Sequence, residues 1–327
     1  MIVPDYWAEA RKQHRSKDRQ LTVRRFGWSS SSEAEAQAMA ERRAEEALRQ
    51  ILAGDKTLAQ RESKTAYNGA TGVPIREEVL ARHGEEVITR NSYGARCLNT
   101  PSALFADIDF SIAPRARHTL GVFALFTATS VLVGAIFHSW ALGFGLWMLS
   151  LFLIRGSAAL FHRLVLRAQG GHEDMAHRRI HGFLARNPAW GLRVYRTPGG
   201  LRLLATHALF EASSPEVAEF FSAVGADPLY VRMCQNQQCF RARLSAKPWR
   251  IGIGAHMRPR PGVWPVHPDR MPVRSQWIAA YEQAAAAFAA CHFLNSVGSE
   301  RVHPELGRVI ELHDREARAN ELALPLA

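Results

Sequence analysis

Apolar positions along this chain fall into short alternating or helix-spaced patterns, with one exception. Thr119–Phe137 (TLGVFALFTATSVLVGAIF) and Trp140–Ile154 (WALGFGLWMLSLFLI) are two uncharged apolar runs parted only by His138-Ser139. As a helix, the first is long enough to cross roughly 30 Å of hydrocarbon. The second is short for a span before Arg155, and reaches through Phe161 if the Arg155 guanidinium snorkels to the interface. Trp140 falls at the turn, where an interfacial aromatic belongs, while Trp147 falls mid-span. A buried hairpin in a water-soluble core is the plainer alternative, but such cores rarely hold a stretch this long whose only ionisable group is a histidine. The pattern predicts a transmembrane helical hairpin over residues 119–161.

On either side the patterns are those of a water-facing α/β protein. Residues 1–64 predict a charged, poorly ordered lead-in (Met1–Gln20), a strand at Leu21–Trp28, and a helix at Glu33–Ala53 that Ser29–Ser32 could cap and Gly54 stops. Residues 65–118 begin with a turn-rich Thr65–Pro74 and a short helix running to Gly84. Two strands follow, Glu86–Cys97 and Ala103–Phe110. Residues 162–250 open with a basic helix over Arg163–Ala185, broken at Gly170-Gly171. Leu192–Arg196 and Leu201–Thr206 then flank the turn Thr197–Gly200, predicting a β-hairpin. Ser214-Pro215-Glu216 opens a helix to Val224, and Tyr230–Leu244 predicts one or two strands. Residues 251–327 complete a Pro/Gly/Trp-rich stretch that starts at Lys247, whose Trp249 and Trp264 are costly to expose. An Ala-rich helix at Gln276–Leu294 and a charged tail end the chain.

Charge adds orientation. Arg115, Arg117 and His118 precede the hairpin, Arg155, Arg163, Arg167, Arg178 and Arg179 follow it, and its turn has no cation. The positive-inside rule places both termini in the cytoplasm and the chain in the cytoplasmic (inner) membrane with two spans. Met1–Arg25 has no apolar core and does not read as a signal peptide. The net charge of +11, carried mainly by arginine, suits the lipid bilayer as a partner, and equally a nucleotide or nucleic acid. The four cysteines of a chain on that side argue against a disulfide scaffold. Two pairs are weak zinc candidates, Cys234 with Cys239 and His177 with His181.

The candidate chemistry lies in Ala103–Phe110 (ALFADIDF). Asp107 and Asp109, two residues apart on a strand, share a face, and hard oxygens so spaced can converge on a divalent cation such as Mg²⁺ or Mn²⁺. An arginine that neutralises them is the structural alternative. Arg202, Arg232, Arg241, Arg243 and Lys247 form a candidate anion-binding set, since guanidinium groups on alternate strand positions can bind phosphate bidentately.

With the hairpin set aside, the element order from Ala103 to Leu244 reads βαββαβ, an RRM/ferredoxin-like plan. A strand ending in alternating acids, followed by a Gly-containing hairpin, resembles the catalytic half of the archaeo-eukaryotic primase superfamily. The resemblance implies divalent metal on Asp107 and Asp109, and nucleotide contact from a histidine on the hairpin. Arg202 stands where that histidine falls, with His207 five residues on as its substitute, and Tyr230–Leu244 contains no third acid. Three function classes follow: an interaction or ligand-binding membrane protein, a nucleotide- or nucleic-acid-binding module, and a metal-dependent nucleotidyl or phosphoryl transferase.

Overall fold

The computed structural model describes residues 1–16, 20–62, 74–110, 116–260, 262 and 264–327. The turn predicted at Thr65–Pro74 lies, but for Pro74, outside them. At the start, β1 (Tyr6–Arg15) and β2 (Gln20–Ser29) pair antiparallel over their whole length. The predicted lead-in is therefore a strand, because its backbone finds a full-length partner and Trp7 and Ala10 are buried. Helix α1 (Glu33–Leu52) starts where Ser32 accepts the Glu35 amide N–H. It lays Ala36, Ala40, Ala44 and Ala47 on the ribbon at four-residue spacing. Small side chains let the backbones meet: a Cβ on Gly27 would lie 2.3 Å from the Ala40 nitrogen.

Next come β3 (Glu78–His83), β4 (Glu86–Arg90), β5 (Arg96–Thr100) and β6 (Phe105–Asp109). The expected helix up to Gly84 is replaced by β3, because Gly84 takes φ +69° and turns the chain straight back into β4. The single strand expected over Glu86–Cys97 breaks at Asn91, whose carboxamide oxygen accepts the Tyr93 and Ala95 amides and forms the turn.

The apolar runs form α2 (Ala116–Ile136) and α3 (Trp140–Ala168), both long and apolar enough to cross a membrane. They pack antiparallel through small groups: a Cβ on Gly143 would meet the Ser130 carbonyl at 2.9 Å. The Trp147 indole N–H reaches Thr127 Oγ1 at 3.2 Å, which satisfies that mid-helix polar tip. At the base, His118 and His162 share a hydrogen bond between their Nδ1 atoms at 3.0 Å. Outward faces are left bare: Phe152 is 82% exposed, Trp140 72% and Leu120 66%.

Beyond a break at Gly170 (φ +82°), α4 (Gly171–Arg186) leads into the predicted hairpin of β7 (Gly191–Thr197) and β8 (Gly200–Ala205). Helix α5 (Pro215–Val224) is capped by Ser214, as read, and α6 (Pro228–Gln237) by Asp227. The strands expected over Tyr230–Leu244 reduce to β9 (Phe240–Arg243), since Asp227 and Pro228 start a helix. The helix expected over Gln276–Leu294 occupies α7 (Met271–Ala285), and the chain then extends into β10 (His292–Gly298) before α8 (Pro304–Ala317).

Among the described residues there are, besides the ribbon, two four-stranded antiparallel sheets, β10-β7-β8-β6 and β3-β4-β5-β9. The strand expected to complete the first sheet, β9, belongs to the second, paired with β5, and β10 takes the remaining place beside β7. The main core lies over the first sheet, where Phe183, Trp190, Phe220 and Phe221 from α4, α5 and the α4–β7 loop cover Leu192, Val194, Leu201 and Leu203. Gly200 sits opposite Asp109, and a Cβ there would lie 2.0 Å from the Ile108 carbonyl oxygen. Gly200→Ala is accordingly expected to push the hairpin off β6 and destabilise the fold by about 1–3 kcal/mol. An unchanged denaturation midpoint would contradict the close approach.

Candidate anion-binding cleft

The two sheets meet along β6 and β9, and tyrosine and arginine side chains tie them together. The Tyr230 hydroxyl donates to the Phe105 carbonyl at 3.0 Å, and the Arg241 amide donates back to that hydroxyl at 3.3 Å. From β8, Arg202 donates through Nη1 to the Arg243 carbonyl at 2.9 Å. Between the sheets opens a cleft of about 200 Å³ lined by Asp107, Asp109 and Asp227, and by Arg243, Lys247 and Arg250.

Asp107 and Asp109 do share this face, as their spacing predicted, but their situations differ. Arg202 holds Asp107 in a fork, Nε to Oδ1 at 2.7 Å and Nη2 to Oδ2 at 3.1 Å. Its side chain is 2% exposed. Burial works against the Arg202 charge, and the Asp107 carboxylate more than restores it, so the guanidinium stays protonated beyond its ordinary range. Arg202 is therefore the partner of Asp107 rather than a free anion contact. Asp109 accepts no hydrogen bond and joins no ion pair among the described residues. Its pKa is raised, first by desolvation and then by repulsion from Asp107 and Asp227, against the pull of Lys247 and Arg250.

The other expected site residues divide. Arg241 lines the cleft but is buried against Glu77, so its charge is already paired and it is a structural cation. His207 is packed on Trp190 with ring centroids 4.6 Å apart, and its Nδ1 faces the Gly191 amide at 3.4 Å; it does not line the cleft. Burial lowers its pKa. Arg232 is exposed on α6, also outside the lining. Arg243 and Lys247 remain, and the structure adds Arg250, which sequence reasoning missed. Its only signal was a third cation, three residues after Lys247, in a loop that reads as irregular. The missed acid, Asp227, reads in sequence as a helix stop.

Among the described residues, Arg243, Lys247 and Arg250 have no Asp or Glu carboxylate within ion-pair distance. Arg243 is spent partly on the Ser245 carbonyl at 2.6 Å and on an oxygen of the last residue, Ala327, at 3.2 Å. Arg250 Nη1 is buried with no hydrogen-bond partner. Desolvation first, and then repulsion from Arg243 and Arg250, lowers the Lys247 pKa; desolvation and Arg243 do the same to Arg250. Lys247 and Arg250 are thus held in places that disfavour their charge. At the rim, Trp249 is 56% exposed, tilted against Tyr93 and with Lys247 Nζ 5.6 Å from its ring centre.

The donor set suits a divalent cation poorly. Both oxygens of Asp107 are taken by Arg202, and those of Asp227 accept the Leu229 and Tyr230 amides at 3.3 and 3.1 Å. That leaves Asp109 alone. No cluster of three or more metal-ligating side chains occurs among the described residues, and Cys234 and Cys239 are buried free thiols. No family model, curated protein or solved structure matches the chain.

Proposed function

We propose that this chain is a membrane-anchored binding protein whose intersheet cleft takes the phosphate groups of an anionic ligand. The observation that carries the reading is the trio Arg243, Lys247 and Arg250, which line one concavity without an Asp or Glu partner among the described residues. Guanidinium and ammonium groups in a partly desolvated cleft bind phosphate far better than in water. The volume of about 200 Å³ falls below the ~300–1,000 Å³ of a whole small-molecule site. The cleft thus suits one or two phosphates, with the rest of a nucleotide lying outside against Trp249. Anchoring rests on α2 and α3, whose bare apolar faces are too large for a water-facing surface. The arginines at the hairpin base support an inner-membrane topology with both termini in the cytoplasm.

A second reading, a primase-like nucleotidyl transferase on an RRM-like sheet, is favoured by one observation: Asp107, Asp109 and Asp227 line the same cleft. The fork from Arg202 and the capping role of Asp227 weigh against it.

The test is calorimetric titration of the detergent-solubilised full-length chain with inorganic pyrophosphate and with ATP. Saturable binding of both is expected, tighter for ATP because the base adds contact at Trp249. Failure of both to bind would end the reading. Mg²⁺-dependent release of pyrophosphate from a nucleoside triphosphate would shift it to the transferase.

A further inference from the structure

The hairpin register fixes how deep each residue of α3 lies. Thr127 faces Trp147 and His118 faces His162, so depth can be counted from the turn at His138-Ser139. At 1.5 Å per residue, Arg155 lies roughly 24 Å from the turn, just inside a ~30 Å hydrocarbon layer. Exposed apolar side chains continue to Leu160 (57%), Phe161 (47%) and Leu164 (53%). The helix then passes Arg163 and Arg167, both exposed, and enters the headgroup layer. There the chain turns at Gly170 into α4, and Arg178 Nη2 donates to the Gln169 carbonyl at the end of α3.

This turn encloses an open concavity lined by Gln169, Met175, Arg178 and Arg179. None of Arg163, Arg167, Arg178 and Arg179 is in an ion pair among the described residues. Of the two acids on α4, Glu173 pairs with Arg196 at 2.5 Å, and Asp174 folds back over Gly170. The seat is thus cationic, with one apolar wall, and opens beside the end of α3.

We propose that this concavity, with Arg167 beside it, is a binding seat for the headgroup of an anionic phospholipid. Arg178 and Arg179 contact the phosphate, Met175 contacts the glycerol and upper acyl carbons, and Arg163 strengthens the local field. The seat is separate from the intersheet cleft and shares no residue with it. The proposal rests on the membrane reading of α2 and α3, so that reading is tested first. Carbonate extraction that leaves the chain in the supernatant overturns both.

With the chain retained in the pellet, it is reconstituted in nanodiscs of equal phosphatidylcholine and phosphatidylglycerol, re-extracted in mild detergent, and its retained lipid quantified. Phosphatidylglycerol is expected to be enriched about tenfold over phosphatidylcholine, falling toward parity in about 0.5 M salt. Arg167→Gln with Arg178→Gln and Arg179→Gln is expected to lose the enrichment, and the corresponding triple lysine variant to keep most of it. Equal retention of both lipids by the native chain, or unchanged enrichment in the glutamine variant, overturns the seat alone.

Discussion

Asp107→Asn is expected to destabilise the protein by about 3 kcal/mol, while Asp109→Asn, two residues on, is expected to cost nothing or to stabilise slightly. The substitutions are chemically identical, and the contrast comes from what each carboxylate faces. Asp107 closes the fork of a guanidinium that is 2% exposed, and removing its charge leaves a buried cation without its counter-ion. The loss spreads further, because Arg202 also holds the Arg243 carbonyl and lies 3.4 Å from His313 Nε2. His313 in turn bonds Asp314 at 2.9 Å, and Asp314 holds Arg193 at 2.6 Å. Asp109 has a raised pKa, so the folded state favours its protonated form. Ionisation above that raised pKa costs stability, and the asparagine removes the cost. The gain of Asp109→Asn is therefore present near pH 7 and vanishes below the ordinary aspartate range, where the native carboxyl is protonated in both states. Urea denaturation at pH 7 and about pH 3, with and without Mg²⁺, reads all of this. Mg²⁺ is expected to move no midpoint, since only Asp109 has free oxygens. Equal losses from the two substitutions, or a midpoint raised by Mg²⁺ in the native chain alone, would mean that the acids act as a metal-binding pair.

What the sequence revealed of this site follows from the range of the forces involved. Local rules were enough for the α5 start at Ser214-Pro215, the β7–β8 turn and the shared face of Asp107 and Asp109, since each is fixed by a few neighbouring residues. The hairpin was legible because its apolar runs are long. The partner of Asp107 was not decided by local pattern: Arg202 lies 95 positions away, and only the β6–β8 register places it opposite. The register also explains why Arg202 occupies the hairpin position where the resemblance sought a histidine. β9 was misplaced and β10 was missed for a related reason. Tyr230–Leu244 carries both helix and strand preferences, and Asp227 and Pro228, just upstream, start the helix. Strand membership in one sheet or the other is set by non-local pairing, which no short window contains. Arg250 was hidden because it lies in an irregular segment whose path is set by packing.

Arg250→Ala is expected to weaken pyrophosphate binding by 10- to 100-fold, the effect of removing one charge-assisted contact worth about 1.5–3 kcal/mol. The buried, unpartnered Nη1 makes this the arginine whose loss costs least in the empty protein and most in the loaded one. Affinity should also depend on pH in a definite direction. Bound anion favours protonated Asp109 and protonated Lys247, so binding takes up protons wherever either group is deprotonated in the free protein. Asp109 titrates above the ordinary aspartate value, and Lys247 below the ordinary lysine value. Affinity should therefore fall as pH rises through the Asp109 pKa, hold on a plateau, and fall again as Lys247 loses its proton. Asp109→Asn removes the first fall and raises affinity on the plateau, because the anion no longer meets a carboxylate. Lys247→Met removes the second fall and lowers the plateau. Titrations from the ordinary aspartate range up to the ordinary lysine range, corrected for the ligand's own ionisation, resolve the two steps. A native profile that rises with pH, or a first step that persists in Asp109→Asn, would show that the anion binds elsewhere.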